Sequence, residues 1–259
     1  MTISYIDLLL GLLLLAVPGY AIFVYDRLTW KKSAQAVGRM LVQLLAMGAC
    51  LWALYRFDSP WLNLLWLLML VFATAFLLVS RSRVCSRVLF VPACVAMFAS
   101  VLLVTTYVLG LVFRPESVWS VRWFVPVTGV LMAHVLTTSI PAVRTYFDSL
   151  RQDSQPYLTL LGNGVTRRQA LAPYLTRALK SLTVPAAANL SAMGLFVLPM
   201  LLSGLLLGSL SPIAAVFTFV VLVFAGLATS VLSLFLTLWL ADRRAFTPQG
   251  VLGDIFMAD

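Results

Sequence analysis

The chain has 259 residues, of which 62% are hydrophobic and 10% charged, against roughly 45–50% and about 25% in an ordinary soluble domain. That composition excludes a soluble fold, because the polar helix faces of period 3.6 that would coat one are missing. The net charge of +9 points to membrane topology rather than to nucleic acid, since the basic residues are sorted by loop.

The apolar runs are about 18–25 residues long, enough to cross a hydrocarbon core near 30 Å. The predicted fold class is therefore all-α: a polytopic membrane protein with about seven transmembrane helices and a cytoplasmic helical hairpin, in a single domain, 1–259. The spans are expected at Ser4 to Val24, Val37 to Tyr55, Trp61 to Ser80, Leu89 to Phe113, Phe124 to Ile140, Leu182 to Leu207 and Ile213 to Leu240. The first opens MTISYIDLLLG, with no basic n-region and no convincing cleavage site, and reads as a retained helix.

Arg39 and Gln43 lie four apart at the inner end of span two, share a face, and are expected to meet the hairpin; interfacial snorkelling is the simpler role for Arg39. Cys50, Cys85 and Cys94 show no paired metal spacing and fix no disulfide. Of the 18 Lys and Arg residues, 15 fall in loops on one side, and only Arg56, Arg114 and Arg122 on the other. Cytoplasmic loops retain positive charge, so the N-terminus is expected outside and the C-terminus inside. Trp61, Trp119 and Trp123 stand where an aromatic belt would anchor the protein in membrane lipids.

Span five carries His134, the only histidine. An ionisable residue in a membrane helix is a functional candidate by default, and here imidazole serves equally as a metal ligand or as a hydrogen-bonded partner of another helix. The segment after it, about 144–180, is the one long polar interruption. Its centre is Gly162-Asn163-Gly164, glycines that tolerate positive φ, between a helix leaving the membrane after Pro141 and a second climbing back towards Pro185.

Span six holds Pro199 in its interior, which denies the Leu195 carbonyl its helical donor and should kink the helix. A carbonyl freed at that depth needs a neighbouring helix, water or a transported cation. Asn189, Met193 and Met200 fall within roughly 40° on a helical wheel, a stripe that suits a transport pathway or simple packing, since methionine fills irregular cores. The pairs Gly204 with Gly208, Gly129 with Ala133 and Gly226 with Ser230 have the spacing that lets membrane helices approach closely.

Enzyme chemistry has no foothold. The chain lacks the G-x-x-x-x-G-K-S/T phosphate loop, lacks H-E-x-x-H, and places no two carboxylates together in a span. Transport or a structural role remains.

Four stretches, AVGRMLVQLLAMG (36–48), VPVTGVLMAH (125–134), GVTRRQA (164–170) and VLPMLLSGLLLGSLSP (197–212), resemble in order and spacing the FetB-type permeases of ABC transporters. These are bacterial iron exporters related to plant aluminium-tolerance membrane proteins. The resemblance implies a non-enzymatic permease in the bacterial inner membrane, working as a homodimer with a cytoplasmic ABC ATPase subunit that carries ATP-Mg. This chain itself would bind no cofactor and no nucleic acid. A docking helix is implied around 155–169, with Leu161, Gly162, Gly164, Thr166 and Arg167 at its turn. The candidate pathway residues, read from the spans themselves, are His134, Asn189, Ser191, Met193, Pro199 and Met200, with His134 as the candidate metal ligand. Departures bear on the substrate. Where the family carries an acid and a lysine early in span six, this chain has Ala188 and Ser191; its proline turn is Leu198-Pro199-Met200; and His134 replaces an amide. Loss of an acid and gain of imidazole and thioether favour softer or borderline metals. Two alternatives stand beside metal export: a permease for an amphipathic or lipid-like compound, and a non-transporting scaffold whose hairpin recruits a cytoplasmic partner.

Overall fold

The computed structural model describes residues 27–82, 86–115, 117–192 and 211–245, and all the regular structure among them is helical. The chain divides into two compact units, 1–57 and 58–259. In the first, helix α1 spans Arg27–Phe57, and near its end the Arg56 guanidinium lies 5.3 Å from the Trp52 ring. Arg39 and Gln43 sit one turn apart on it.

The second unit contains α2 (Pro60–Ser82), α3 (Ser86–Tyr107), α4 (Val121–Gln152), α5 (Ser154–Gly162), α6 (Arg167–Ala192) and α7 (Pro212–Ala245). Helix α3 relaxes into a π-helical turn at Val108–Phe113, closed by Arg114 in the left-handed region. Side chains at spacings of three and four make the core: Leu67, Val71, Ala75 and Leu78 from α2, Leu89, Ala93, Met97 and Val101 from α3, and Leu234, Leu238 and Ala241 from α7. Such stripes bury one face of each helix. Helix α7 packs most broadly against α3 and α4, while α4 also holds α2 and α6. Small hydroxyl residues line these contacts: Ser100, Thr128, Thr229 and Ser230 are buried, and each donates to the carbonyl four residues before it.

Five helices among the described residues are long and apolar enough to cross a membrane: Val37–Phe57, Pro60–Ser82, Leu89–Phe113, Val121–Gln152 and Ile213–Arg243. They correspond to predicted spans two, three, four, five and seven. Span one and most of span six, with the Gly204 and Gly208 pair, lie outside the described residues. Helix α4 runs unbroken through Pro126 and Pro141 for 32 residues, about 48 Å at 1.5 Å per residue. This exceeds a hydrocarbon core of about 30 Å, and the excess carries the hairpin.

At the other end of the unit, Asp58 and Asn63 tie the start of α2 to the start of α4. The Val121 N–H donates to the Asp58 carboxylate at 3.0 Å, a favourable charge at a helix N-terminus. The Asn63 amide donates to the Trp119 carbonyl at 2.6 Å.

Candidate functional site

Two features collect the predicted residues. The first is a cavity of about 120 Å³ among α4, α6 and α7. Helix α4 contributes His134, Thr137, Thr138 and Pro141; α6 contributes Ser181, Pro185 and Asn189. Their spacings, three, four and seven on α4 and four and eight on α6, each describe one helix face. His134 and Asn189, predicted separately from different spans, thus meet. The imidazole reaches its place because α7 has a glycine opposite: a Cβ at Gly226 would lie 2.7 Å from His134 Cδ2. Gly226 therefore serves the close approach its spacing suggested. Gly129 does not, since a Cβ there would meet nothing within 4 Å.

The hydroxyls around the imidazole spend their protons on main-chain carbonyls. Thr137 donates to the carbonyls of Ala133 and His134 at 3.0 Å, Thr138 to His134 at 2.7 Å, and Ser181 to Ala178 at 2.8 Å. What each hydroxyl keeps is lone pairs. Among the described residues the cavity lining includes no Asp, Glu, Lys or Arg, and no group of three His, Cys, Asp or Glu gathers anywhere. Thr137, Thr138 and Ser181 were not singled out from the sequence, and Pro141 and Pro185 only marked the limits of the hairpin, although their register with His134 and Asn189 places all five on the same faces. Ser191 falls in the last turn of α6. Met193, Pro199 and Met200 lie outside the described residues.

The second feature is the hairpin of α5 and α6. Segment 155–169 is a short helix, a turn and the opening of the next helix rather than one helix. The turn is closed from both sides. Val165 N–H donates to the Leu160 carbonyl and Gly164 N–H to Leu161, the Schellman pattern with its left-handed residue at Gly164, φ +82°. Of the two glycines only Gly164 needs that conformation. Gln169 then reaches back over the first turn of α6: the Thr166 N–H and hydroxyl both donate to its side-chain oxygen, at 3.3 and 2.7 Å. This is the reach-back half of a capping box, with the threonine hydroxyl spent as a donor on the same oxygen.

Inside the hairpin, Tyr157 is buried and meets Tyr174 edge to face at 6.4 Å. Burial pushes the Tyr157 phenol above its ordinary value against the opposing pull of Arg167. Burial likewise raises Tyr174, so both remain neutral donors at physiological pH. Tyr174 donates to the Asp153 carbonyl at 3.3 Å, and Arg177 pairs with the Asp153 carboxylate at 2.6 Å. Arg167, the first residue of α6, donates to the Asp242 carbonyl in the last turns of α7 at 2.6 Å. The Asp242 carboxylate in turn accepts from the buried Tyr146 hydroxyl of α4 at 2.9 and 3.0 Å. Three helices are thereby fastened at one aspartate. Of the predicted docking residues, Gly162, Gly164 and Thr166 are exposed while Leu161 and Arg167 are half-buried. Leu158 and Leu160 of α5 are exposed as well.

Comparison with known proteins places this architecture. A family model described as "Uncharacterised protein family (UPF0014)" matches residues 5–246. The chain is 27% identical over 198 residues to UPF0014 membrane protein slr1647 of Synechocystis sp., covering 76% of each chain. It is 25% identical over 221 residues to a probable iron export permease protein, FetB, of Escherichia coli, covering 83% of this chain and 81% of the relative. It is also 25% identical over 182 residues to the protein ALUMINUM SENSITIVE 3 of Arabidopsis thaliana, covering 70% and 65%. No solved structure matches. The model match spans nearly the whole sequence, and the chain belongs to the UPF0014 family of membrane proteins.

Proposed function

We propose that the chain is the membrane-spanning permease subunit of an ABC transporter that exports a metal ion, iron-like in class, with ATP hydrolysed on a separate subunit. The observation that carries this is the convergence of His134 and Asn189 on one cavity between α4 and α6. Family membership and the name of the Escherichia coli relative support it. In this reading seven spans cross the bacterial inner membrane with the N-terminus outside, and the α5–α6 hairpin enters the cytoplasm. Two permeases pair with two ATPase subunits, each of which carries ATP-Mg and receives a hairpin along Leu158, Leu160, Gly162, Gly164 and Thr166. Closure of the ATPase pair shifts the permease between inward- and outward-open arrangements, and the ion biases that balance only through unequal affinity for the two.

The test is ATP-driven metal flux in vesicles holding the permease and the ATPase that co-purifies with it in mild detergent. His134→Ala should lower flux about tenfold or more without lowering membrane abundance; normal flux in that variant would take the cavity out of the pathway.

A second reading, transport of an amphipathic or lipid-like compound, is favoured by an apolar groove of about 1020 Å³ bordered by Leu103 and Tyr107 of α3, Ala187 of α6 and Phe224 and Phe235 of α7. Flux of such a compound with no metal movement would select it.

A further inference from the structure

Two prolines stand on facing helices, Pro141 inside α4 and Pro185 inside α6. Each lacks an N–H, so the carbonyl four residues earlier loses its ordinary helical donor. Those carbonyls belong to Thr137 and Ser181. Both prolines and both carbonyl-bearing residues border the small cavity lined by His134 and Asn189. On each helix both the carbonyl-bearing residue and its proline line that cavity, so each break in the hydrogen-bond ladder lies at its wall. The same local defect therefore arises twice, on opposite walls of one space.

We propose that this cavity is a cation-coordinating site in which the main-chain carbonyls of Thr137 and Ser181 act as ligands beside the His134 imidazole and the Asn189 amide. The proposal rests on the permease reading and names the ligands of its pathway. Cations transported through membranes are met in this way where irregular helices expose carbonyl oxygens. The hydroxyls of Thr137 and Thr138, their protons committed to the chain, turn only acceptor character outward. The volume of about 120 Å³ admits a cation with a few waters. Imidazole with neutral oxygens suits a borderline divalent ion better than a hard one. With no carboxylate lining it among the described residues, the site leaves the charge of the ion uncompensated and holds it loosely, as a conducting site must if the ion is to leave.

The backbone ligands can be removed without touching any polar side chain. Pro141→Ala and Pro185→Ala each give back the N–H that occupies the Thr137 or Ser181 carbonyl, and alanine favours the helix. The full-length protein in mild detergent is titrated with Co²⁺, read by visible absorption and calorimetry, with helix content by circular dichroism as the folding control. Wild type should bind Co²⁺, resist displacement by excess Mg²⁺, and release it to Zn²⁺. Each proline variant should bind about tenfold more weakly or worse at unchanged helix content, and His134→Ala should lose the absorption signature. Proline variants that bind Co²⁺ as wild type does would overturn the carbonyl ligands. If wild type binds none while ATP-driven flux persists, the site is wrong and the permease reading stands; binding without any flux would uphold the site and remove that reading.

Discussion

At the scale of single residues the tightest relation is between His134 and Gly226. A histidine in a membrane helix attracts notice on chemical grounds, but its partner is visible only as an absence of bulk, one small residue on α7. Gly226→Ala would put a methyl group 2.7 Å from the imidazole edge, so either the ring moves or the helices part. We expect a loss of about 1–3 kcal/mol, the usual penalty for overpacking, seen as a lower midpoint of thermal unfolding in detergent. Transport should fall with it; an unchanged midpoint would mean that the ring turns aside freely. His134 and Asn189 were legible from sequence because polar groups are rare inside spans. The cavity they share was not, because hydropathy carries no information on which helices face each other.

At the scale of elements, the hairpin was legible in outline and its construction was not. Two glycines in a polar stretch announce a reversal, yet only Gly164 takes the left-handed backbone, and the Gln169 side chain reaching back to Thr166 marks where α6 begins. The fastening at Asp242 could not be foreseen, since Tyr146 and Asp242 are separated by 96 positions. Tyr146→Phe keeps the ring and its packing on Phe147 but deletes the donor to a half-buried carboxylate. Such a loss costs about 1–3 kcal/mol. In the proposed permease, the expected result is unchanged co-purification of the ATPase and continued nucleotide hydrolysis with reduced flux. If flux per ATP is unaltered, this contact bears no load.

At the scale of the whole molecule, the spans that fall within the described residues were read nearly to their ends, since the bilayer imposes one length on every crossing. The discrepancies are at α1, which begins at Arg27 before the expected entry at Val37, and at α4 and α7, which continue past the expected exits at Ile140 and Leu240 into Gln152 and Ala245, because hydropathy marks where a helix meets lipid and says nothing of where it starts or stops. Sidedness has its own test. A cysteine placed at exposed Asn163, with native cysteines replaced, should react with a membrane-impermeant maleimide in inverted vesicles and not in intact cells; the opposite pattern would reverse the topology.

The helix that returns from the hairpin begins with a side chain gripping the far end of α7, Arg167 to the Asp242 carbonyl at 2.6 Å. A push on the elbow cannot swing α6 alone: either α7 is dragged along like a rod on a crank, or the grip breaks. In the proposed docking role, α7 therefore follows α6 for as long as that contact lasts, and its breaking ends the shared movement.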